Sequence, residues 1–310
     1  MPQGAILSPL FFSLYINDVV ESANANFSLF ADDTSVYLTD ESPAALQSRL
    51  QAVLDKLSLW FKSWAVTVNN AKSAVMLISR RRNLPALNVQ LDGTAIPQVV
   101  THEHLGLMFN NRLCWNSHTD YVRKKAAKKI GFLRRIRRRL PCLVIRSLYM
   151  ACIRPTLEYA GEAWVGIGKS DSNRLEKCQR AAARLIAKVS LKDNIPHDLL
   201  LAHAGLESLS TRRSLKIVST VYRLSSAQPK SPPHLLKAFQ DWLGTAPDSE
   251  SSMTLPSAGR ESIRLPRSRT ELLRLSPFYH GVSVLNSCPA EAKVSLSSLK
   301  SHFLSSAASP

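Results

Sequence analysis

Residues 27 to 38, FSLFADDTSVYL, alternate apolar and polar side chains on both sides of Ala31-Asp32-Asp33. A period of two belongs to a strand with one buried face, and a polar break between two such runs is a bend. The segment therefore reads as a β-hairpin with an acidic pair at its tip, which excludes an all-helical fold. On either side the period becomes helical. Residues 9 to 22 carry apolar groups at 11, 12, 14, 15, 16 and 19, a wide stripe compatible with a buried helix opened by Pro9. After Ser42-Pro43, which reads as an N-cap followed by proline in the first turn, apolar groups recur at 46, 50, 53, 54, 57, 60, 61 and 64 and predict a long amphipathic helix. Shorter strand-like runs follow at 74 to 79, 86 to 91 and 104 to 109, with a turn at Asp92-Gly93.

From Ser117 the texture is helical. Val122, Ala126, Ile130, Leu133 and Ile136 hold helical spacing, and further helical patterns cover 141 to 153, 171 to 189 and 197 to 224, the last interrupted at Gly205. Residues 225 to 259, rich in Ser, Pro and Ala, read as a largely flexible linker broken by an apolar patch around Leu235 to Leu243. The expected fold class is α+β. Its expected parts are a mixed domain at 1 to 111, a basic helical region at 112 to 224, the linker at 225 to 259 and a small C-terminal region at 260 to 310.

Charge narrows the partners. Forty Lys and Arg against 23 Asp and Glu give a formal charge of +17, so a polyanion is the favoured partner, nucleic acid before an anionic membrane. Ten of those cations, Arg123, Lys124, Lys125, Lys128, Lys129, Arg134, Arg135, Arg137, Arg138 and Arg139, fall within residues 123 to 139 with no acid among them. A charge run is usually a solvated face. Here the single sign and the apolar stripe beneath it favour phosphate binding, and about five contacts to a single strand or hybrid would give a log K against log salt slope of roughly −3.5 to −4.5. Five cysteines without regular spacing disfavour a secreted disulfide scaffold, and no run of 18 apolar residues exists. A soluble intracellular protein is expected, with nucleus and cytoplasm not distinguished and oligomeric state open. His102, His104, Cys114 and His118 bear ligand-type side chains, but the spacing H-x-H-x₉-C-x₃-H fits no common structural zinc pattern. Trp60, Trp64, Trp115 and Trp164 stand in amphipathic contexts and read as core.

Two carboxylates at one bend can hold Mg²⁺, which takes hard oxygen ligands and is commonly bound by one or two carboxylates plus substrate phosphates. Aspartate is also an ordinary turn residue. The surrounding motifs sharpen the choice. Pro2-Gln3-Gly4-Ala5-Ile6-Leu7-Ser8-Pro9, then Leu14-Tyr15-Ile16-Asn17-Asp18, then Phe30-Ala31-Asp32-Asp33, in this order, resemble motifs B and C of the reverse transcriptase of non-LTR (LINE-like) retrotransposons. Val68-Asn69 and Lys72-Ser73 are similar to motif D, and His104-Leu105-Gly106-Leu107 to motif E. Leu148-Tyr149 to Arg154-Pro155, Glu158-Tyr159 to Trp164, Leu175-Glu176 and Gln179-Arg180 look like the family's thumb and post-thumb region. A looser likeness runs to Arg264, Arg267, Arg269, Phe278, Asn286 and Pro289.

The resemblance implies a partial right-hand polymerase palm followed by a helical thumb and a helical C-terminal region. It implies RNA-directed DNA synthesis by two-metal nucleotidyl transfer on an RNA template and DNA primer, with deoxynucleoside triphosphates as substrate. Asp32 and Asp33 would be catalytic metal ligands for Mg²⁺, and Lys72 the acid for the leaving pyrophosphate. Gln3 and Gly4 would lie under template and nucleotide, and Leu105 and Gly106 in the primer grip. Asp18 reads as a helix-end or hairpin-entry residue rather than a metal ligand. In the family another metal-ligating Asp lies in motif A, upstream of motif B, so a chain starting at motif B is expected to be an N-terminally truncated fragment, inactive or nearly so, whose palm half is poorly stable alone. The alternative is a non-enzymatic nucleic-acid-binding remnant acting through the basic helix.

Overall fold

The computed structural model describes residues 4–190, 192–225, 231–244, 263, 265, 276–289, 292–293 and 295–306. The chain divides into two compact units, Met1–Cys114 and Trp115–Pro310. Mixed helices and small antiparallel sheets make it α+β.

In the first unit, helix α1 (Ser8–Ile16) continues into a 3-10 turn, Asn17–Glu21, so the single helix expected over 9 to 22 changes its winding midway. Strands β1 (Asn26–Phe30) and β2 (Asp33–Tyr37) pair antiparallel, with Phe30 opposite Asp33 and Ala31-Asp32 as the two-residue turn. Helix α2 (Pro43–Ser63) starts where the sequence places it: the Ser42 hydroxyl accepts from the Ala45 amide and satisfies one of the first-turn donors. Ile16, Val19, Ala23, Val53 and Leu57 form the buried centre, packed by Phe27, Leu29 and Val36 from the hairpin. The period-two side chains thus meet the period-3.6 stripe.

The stripe on α1 does not behave as expected. Within the helix only Ile16 is buried, and Phe11 and Leu14 are 49% and 67% exposed. Nor are all the short apolar runs strands. Leu87, Val89 and Leu91 alternate inward as anticipated, yet only Gln90–Leu91 (β3) pairs, with Thr94–Ala95 (β4). Side-chain amides replace the missing partner strand: Gln98 Oε1 accepts from the Leu87 amide at 2.6 Å, Gln47 from Asn88 at 3.0 Å and Gln51 from Gln90 at 2.8 Å. Backbone amides must find partners, and Gln47 and Gln51 from α2 together with Gln98 beyond β4 supply them. Residues 74 to 79 contribute a single bridge, Val75 to Gln98, since Pro97 has no N–H to extend a ladder. The run at 104 to 109 is a second hairpin rather than one strand. In it β5 (Thr101–His104) and β6 (Leu107–Asn110) turn at Leu105-Gly106, with φ of 48° and 75°. Both turn residues lie in the left-handed region, as at Asp92-Gly93, which suits the twist of a two-residue hairpin.

The second unit is helical: α3 (Asn116–Ile136), α4 (Cys142–Leu148) running through a π turn at Tyr149–Ile153 into α5 (Arg154–Glu158), then α6 (Lys169–Ile186), α7 (His197–Ala204) and α8 (Leu209–Ser225). Gly205 caps α7 at φ 63°, the expected interruption. The apolar patch in the expected linker is helix α9 (Pro233–Gly244). Its Phe239 is fully buried, against a core that α8 shares with α10 (Pro277–Ser287) and α11 (Leu296–Ser306). Residues 226 to 230 and 245 to 259 of that linker lie outside the described residues, as do Arg264, Arg267 and Arg269. Asn286 holds residue 263 by a reciprocal pair of bonds, accepting from the Ile263 amide at 2.9 Å and donating to its carbonyl at 2.8 Å.

Candidate active site and nucleic-acid interface

Asp32 and Asp33 are both exposed at the end of the first hairpin, Asp32 in the turn and Asp33 as the first residue of β2. The turn is formed at a cost: Ala31 has φ 51°, a conformation an L side chain rarely takes, and here the chain uses no glycine. Strain of this kind, held by five paired residues on each strand, fixes where the two carboxylates leave the sheet. Side chains two apart on a strand share a face, so Asp33 and Ser35 project together. Ser35 Oγ lies 3.4 Å from His104 Nε2, which brings the second hairpin and its Leu105-Gly106 turn to that face. Two segments singled out separately in the sequence are thus neighbours in the fold.

Lys72 is exposed in a turn in which its amide bonds to the Asn69 carbonyl at 3.0 Å. Gly4, at φ 88°, has open space where a Cβ would stand, so its requirement is one of backbone conformation rather than room. Gln3 lies outside the described residues. Asp18, the second residue of the 3-10 turn, has Oδ1 buried and without a hydrogen-bond partner among the described residues, a feature no local pattern signals. Among the described residues no group of three or more His, Cys, Asp and Glu is placed to hold a metal ion. The donor chemistry at Asp32 and Asp33, two accessible carboxylates, suits a hard divalent ion completed by water and phosphate oxygens. Of the histidines weighed for zinc, His118 is buried edge-on against Trp164 with ring centroids 5.0 Å apart.

The tryptophans divide. Trp164 is fully buried, with its indole N–H donating to the Tyr159 carbonyl at 2.8 Å, whereas Trp64 is 41% exposed, against the expectation of a core residue. It ends α2, stacked on Trp60 at 5.7 Å and edge-on to Tyr15 at 5.4 Å. Its backbone carbonyl accepts from the Tyr15 hydroxyl. The aromatic contacts hold Trp64 although its outer face meets solvent.

In the second unit the apolar stripe of α3 is buried as the spacing requires: Val122, Ala126, Ile130 and Leu133 are all closed to solvent. Seven of the ten cations then stand exposed: Lys124, Lys125, Lys128, Arg134, Arg135, Arg138 and Arg139, the last two on the 3-10 turn that ends the helix. Arg123, Lys129 and Arg137 are half-buried, and two of these have tasks inside the fold. Lys129 Nζ donates to the Cys152 carbonyl at 2.8 Å and to Thr156 Oγ1 at 2.7 Å, tying α3 to the π turn and α5. Arg123 faces Asp120 at 3.4 Å, and Arg174 shares the same carboxylate at 2.8 Å.

Residues 1–132 match the family described as "Reverse transcriptase (RNA-dependent DNA polymerase)". The chain is 26% identical over 201 residues to the "RNA-directed DNA polymerase from mobile element jockey" of Drosophila melanogaster, covering 60% of this chain and 22% of that protein. It is 24% identical over 198 residues to the "Probable RNA-directed DNA polymerase from transposon BS" of the same organism, covering 60% and 22%. To the "Retrovirus-related Pol polyprotein from type-1 retrotransposable element R1" of Bradysia coprophila it is 27% identical over 231 residues, covering 67% and 22%. The chain thus spans about a fifth of the length of these relatives. No solved structure matches.

Proposed function

We propose, for a chain that resembles the RNA-directed DNA polymerases of non-LTR retrotransposons, that the first unit carries the catalytic hairpin of such a polymerase and the second unit its thumb. The observation that carries this reading is the hairpin itself: two accessible carboxylates at a strained two-residue turn, beside a second hairpin that reaches the same face through His104. In this role Asp32 and Asp33 would hold Mg²⁺, which when bound supplies charge neutralisation and orientation for nucleotidyl transfer. The chain's own residues do the rest. The rigid tip sets the carboxylates, the Leu105-Gly106 turn carries the primer terminus, Gln3 and Gly4 support template and nucleotide, and Lys72 serves as the proton source for the leaving group. The basic face of α3 tracks the phosphates of an RNA template and DNA primer. No helix among the described residues is long and apolar enough to cross a membrane.

A second reading concerns the 310 residues taken alone: nucleic-acid binding without catalysis. The observation favouring it is that the exposed cations of α3 stand on a helix whose apolar stripe is buried and which packs on α5 and α6 of the second unit. Primer extension on an RNA template with Mg²⁺, comparing this chain with Asp32→Ala and Asp33→Ala, separates the two. Incorporation lost in both variants supports catalysis through the hairpin. Salt-sensitive RNA binding with no incorporation in any of the three supports the binding role for these residues. Incorporation unchanged by either substitution would remove the hairpin from the reaction.

A further inference from the structure

The first unit carries a basic surface that the polymerase reading does not use. Arg80, Arg81 and Arg82 follow one another in an exposed loop, and Arg112, also exposed, follows the β5–β6 hairpin. The fold joins these separate stretches, because the Ser79 amide donates to the Asn111 carbonyl at 3.1 Å and sets Arg80 and Arg112 one residue beyond the bond on each side. Arg81 is held in place: its guanidinium donates to the Glu41 carbonyl at 3.4 Å and its amide to Ser79 Oγ at 3.2 Å. The side chains of Arg80, Arg82 and Arg112 have no hydrogen bond or ion pair among the described residues. The neighbouring carboxylate of Asp40 is already engaged. The Ser42 amide and Arg49, at 2.9 Å, hold it below the usual carboxylate range. An open groove, lined by Thr39, Asp40, Glu41, Leu77, Ser79 and Arg81, runs beside the loop, so the Glu41 carboxylate also faces it.

We propose that Arg80, Arg82 and Arg112, positioned by the Ser79–Asn111 bond and by Arg81, form a second phosphodiester-binding surface on the first unit, separate from the basic helix α3. Like charges set near one another by the chain and by the Ser79–Asn111 bond, with no ion pair among the described residues, repel one another, and a polyanion relieves that repulsion. Guanidinium groups suit phosphate oxygens because they offer paired donors in a fixed plane. The apolar and hydroxyl part of the groove, Leu77, Thr39 and Ser79, gives room for sugar and base, while Asp40 and Glu41 at its wall keep the phosphates on the arginine side. The inference rests on the nucleic-acid reading above and adds to it a contact in the unit that holds the acidic hairpin.

Binding of a labelled single-stranded RNA to the full chain across a KCl series tests this. Each contact to a single strand contributes about 0.7 to the slope of log K against log salt, so Arg80→Gln, Arg82→Gln and Arg112→Gln together should flatten it by about 2. The same relation predicts weaker binding, on the order of 10- to 100-fold at ~0.1 M salt. Single substitutions should act in steps of about 0.7, and replacement of all three by Lys should keep most of the slope. A chain with Lys124, Lys128, Arg134 and Arg135 changed to Gln is the companion. If that chain loses slope and the three-arginine variant does not, the second surface is wrong and the α3 reading stands. If neither changes the slope, both fail. Vesicles of phosphatidylserine form the last arm, and an arginine-dependent affinity for them without a change toward RNA would overturn the proposal in favour of a membrane surface.

Discussion

At Gly281 the structure allows no side chain. A Cβ there would stand 2.5 Å from Val221 Cγ2 and 2.9 Å from Ile217 Cγ1, the two residues of α8 on which α10 lies. Neither atom is the far end of a flexible chain, so the helices must part. Gly281→Ala should therefore destabilise the chain by about 1–3 kcal/mol despite alanine's better helix propensity, as overpacking outweighs a gain of about 1 kcal/mol. Urea denaturation followed by far-UV circular dichroism reads the sign directly, and a stabilised variant would mean that α8 and α10 are not in contact. Tyr149 predicts the opposite sign. Its ring is fully buried, burial raises its phenol above the usual range, and its hydroxyl has no hydrogen-bond partner among the described residues. An unmade bond of this kind costs roughly 1–3 kcal/mol, so Tyr149→Phe should leave stability unchanged or raise it by up to about 1 kcal/mol. A loss in the same denaturation experiment would reveal a partner, such as an ordered water, that Tyr149 bonds in solution.

The helix α3 separates two uses of positive charge along one element. Lys128 is exposed, while Lys129 one position on is half-buried and bonded to Cys152 and Thr156. Lys128→Gln should lower RNA affinity and flatten the salt slope by about 0.7 with stability within about 0.5 kcal/mol of the parent. Lys129→Gln should cost about 1–3 kcal/mol, because two oxygens lose a charged donor, while the slope barely moves. Equal effects of the two on binding would show that the intramolecular bonds of Lys129 do not persist in solution. The stripe of this helix was legible because burial repeats every three or four residues, and the hairpin was legible because period two brackets a polar break. The sequence could not show which cations the fold engages, since Thr156 and Cys152 are remote in sequence from Lys129. For the same reason the amide rungs from Gln47, Gln51 and Gln98, which take the place of a strand beside residues 87 to 90, were invisible: side chains on another element complete that backbone. Of the residues that carry the family likeness in the second unit, Pro155 and Tyr159 are exposed, while four, Tyr149, Trp164, Leu175 and Gln179, are buried. Those four speak for packing, and the exposed arginines of the further surface carried no motif.

On the scale of the whole chain, two opposing terms govern solution behaviour. The +17 charge repels other copies, and the apolar residues of α1 attract them. Leu10 and Leu14, one turn apart on α1, and Phe11 are exposed, as are Ile6 and Leu7 in the turn just before the helix, a group larger than the scattered apolar residues of an ordinary surface. In the same unit β1 and β2 pair, among the described residues, only with each other, so each also presents a strand edge that can accept another chain. Salt decides between the terms. At about 0.01 M the Debye length is near 30 Å and the repulsion reaches across a domain, whereas at 1 M it falls to about 3 Å and only the apolar attraction remains. The chain should therefore sediment as a monomer at low salt and self-associate as salt rises, while its affinity for RNA falls over the same range. These trends have opposite signs and can mask each other in one titration. Leu10→Gln with Leu14→Gln removes the attraction at constant charge. Analytical ultracentrifugation of this variant should show a monomer throughout the salt series, with the RNA slope unchanged. A variant that still associates at high salt would move the sticky surface from α1 to the open edges of the β1–β2 hairpin, where a charged substitution at Tyr37 should then abolish it.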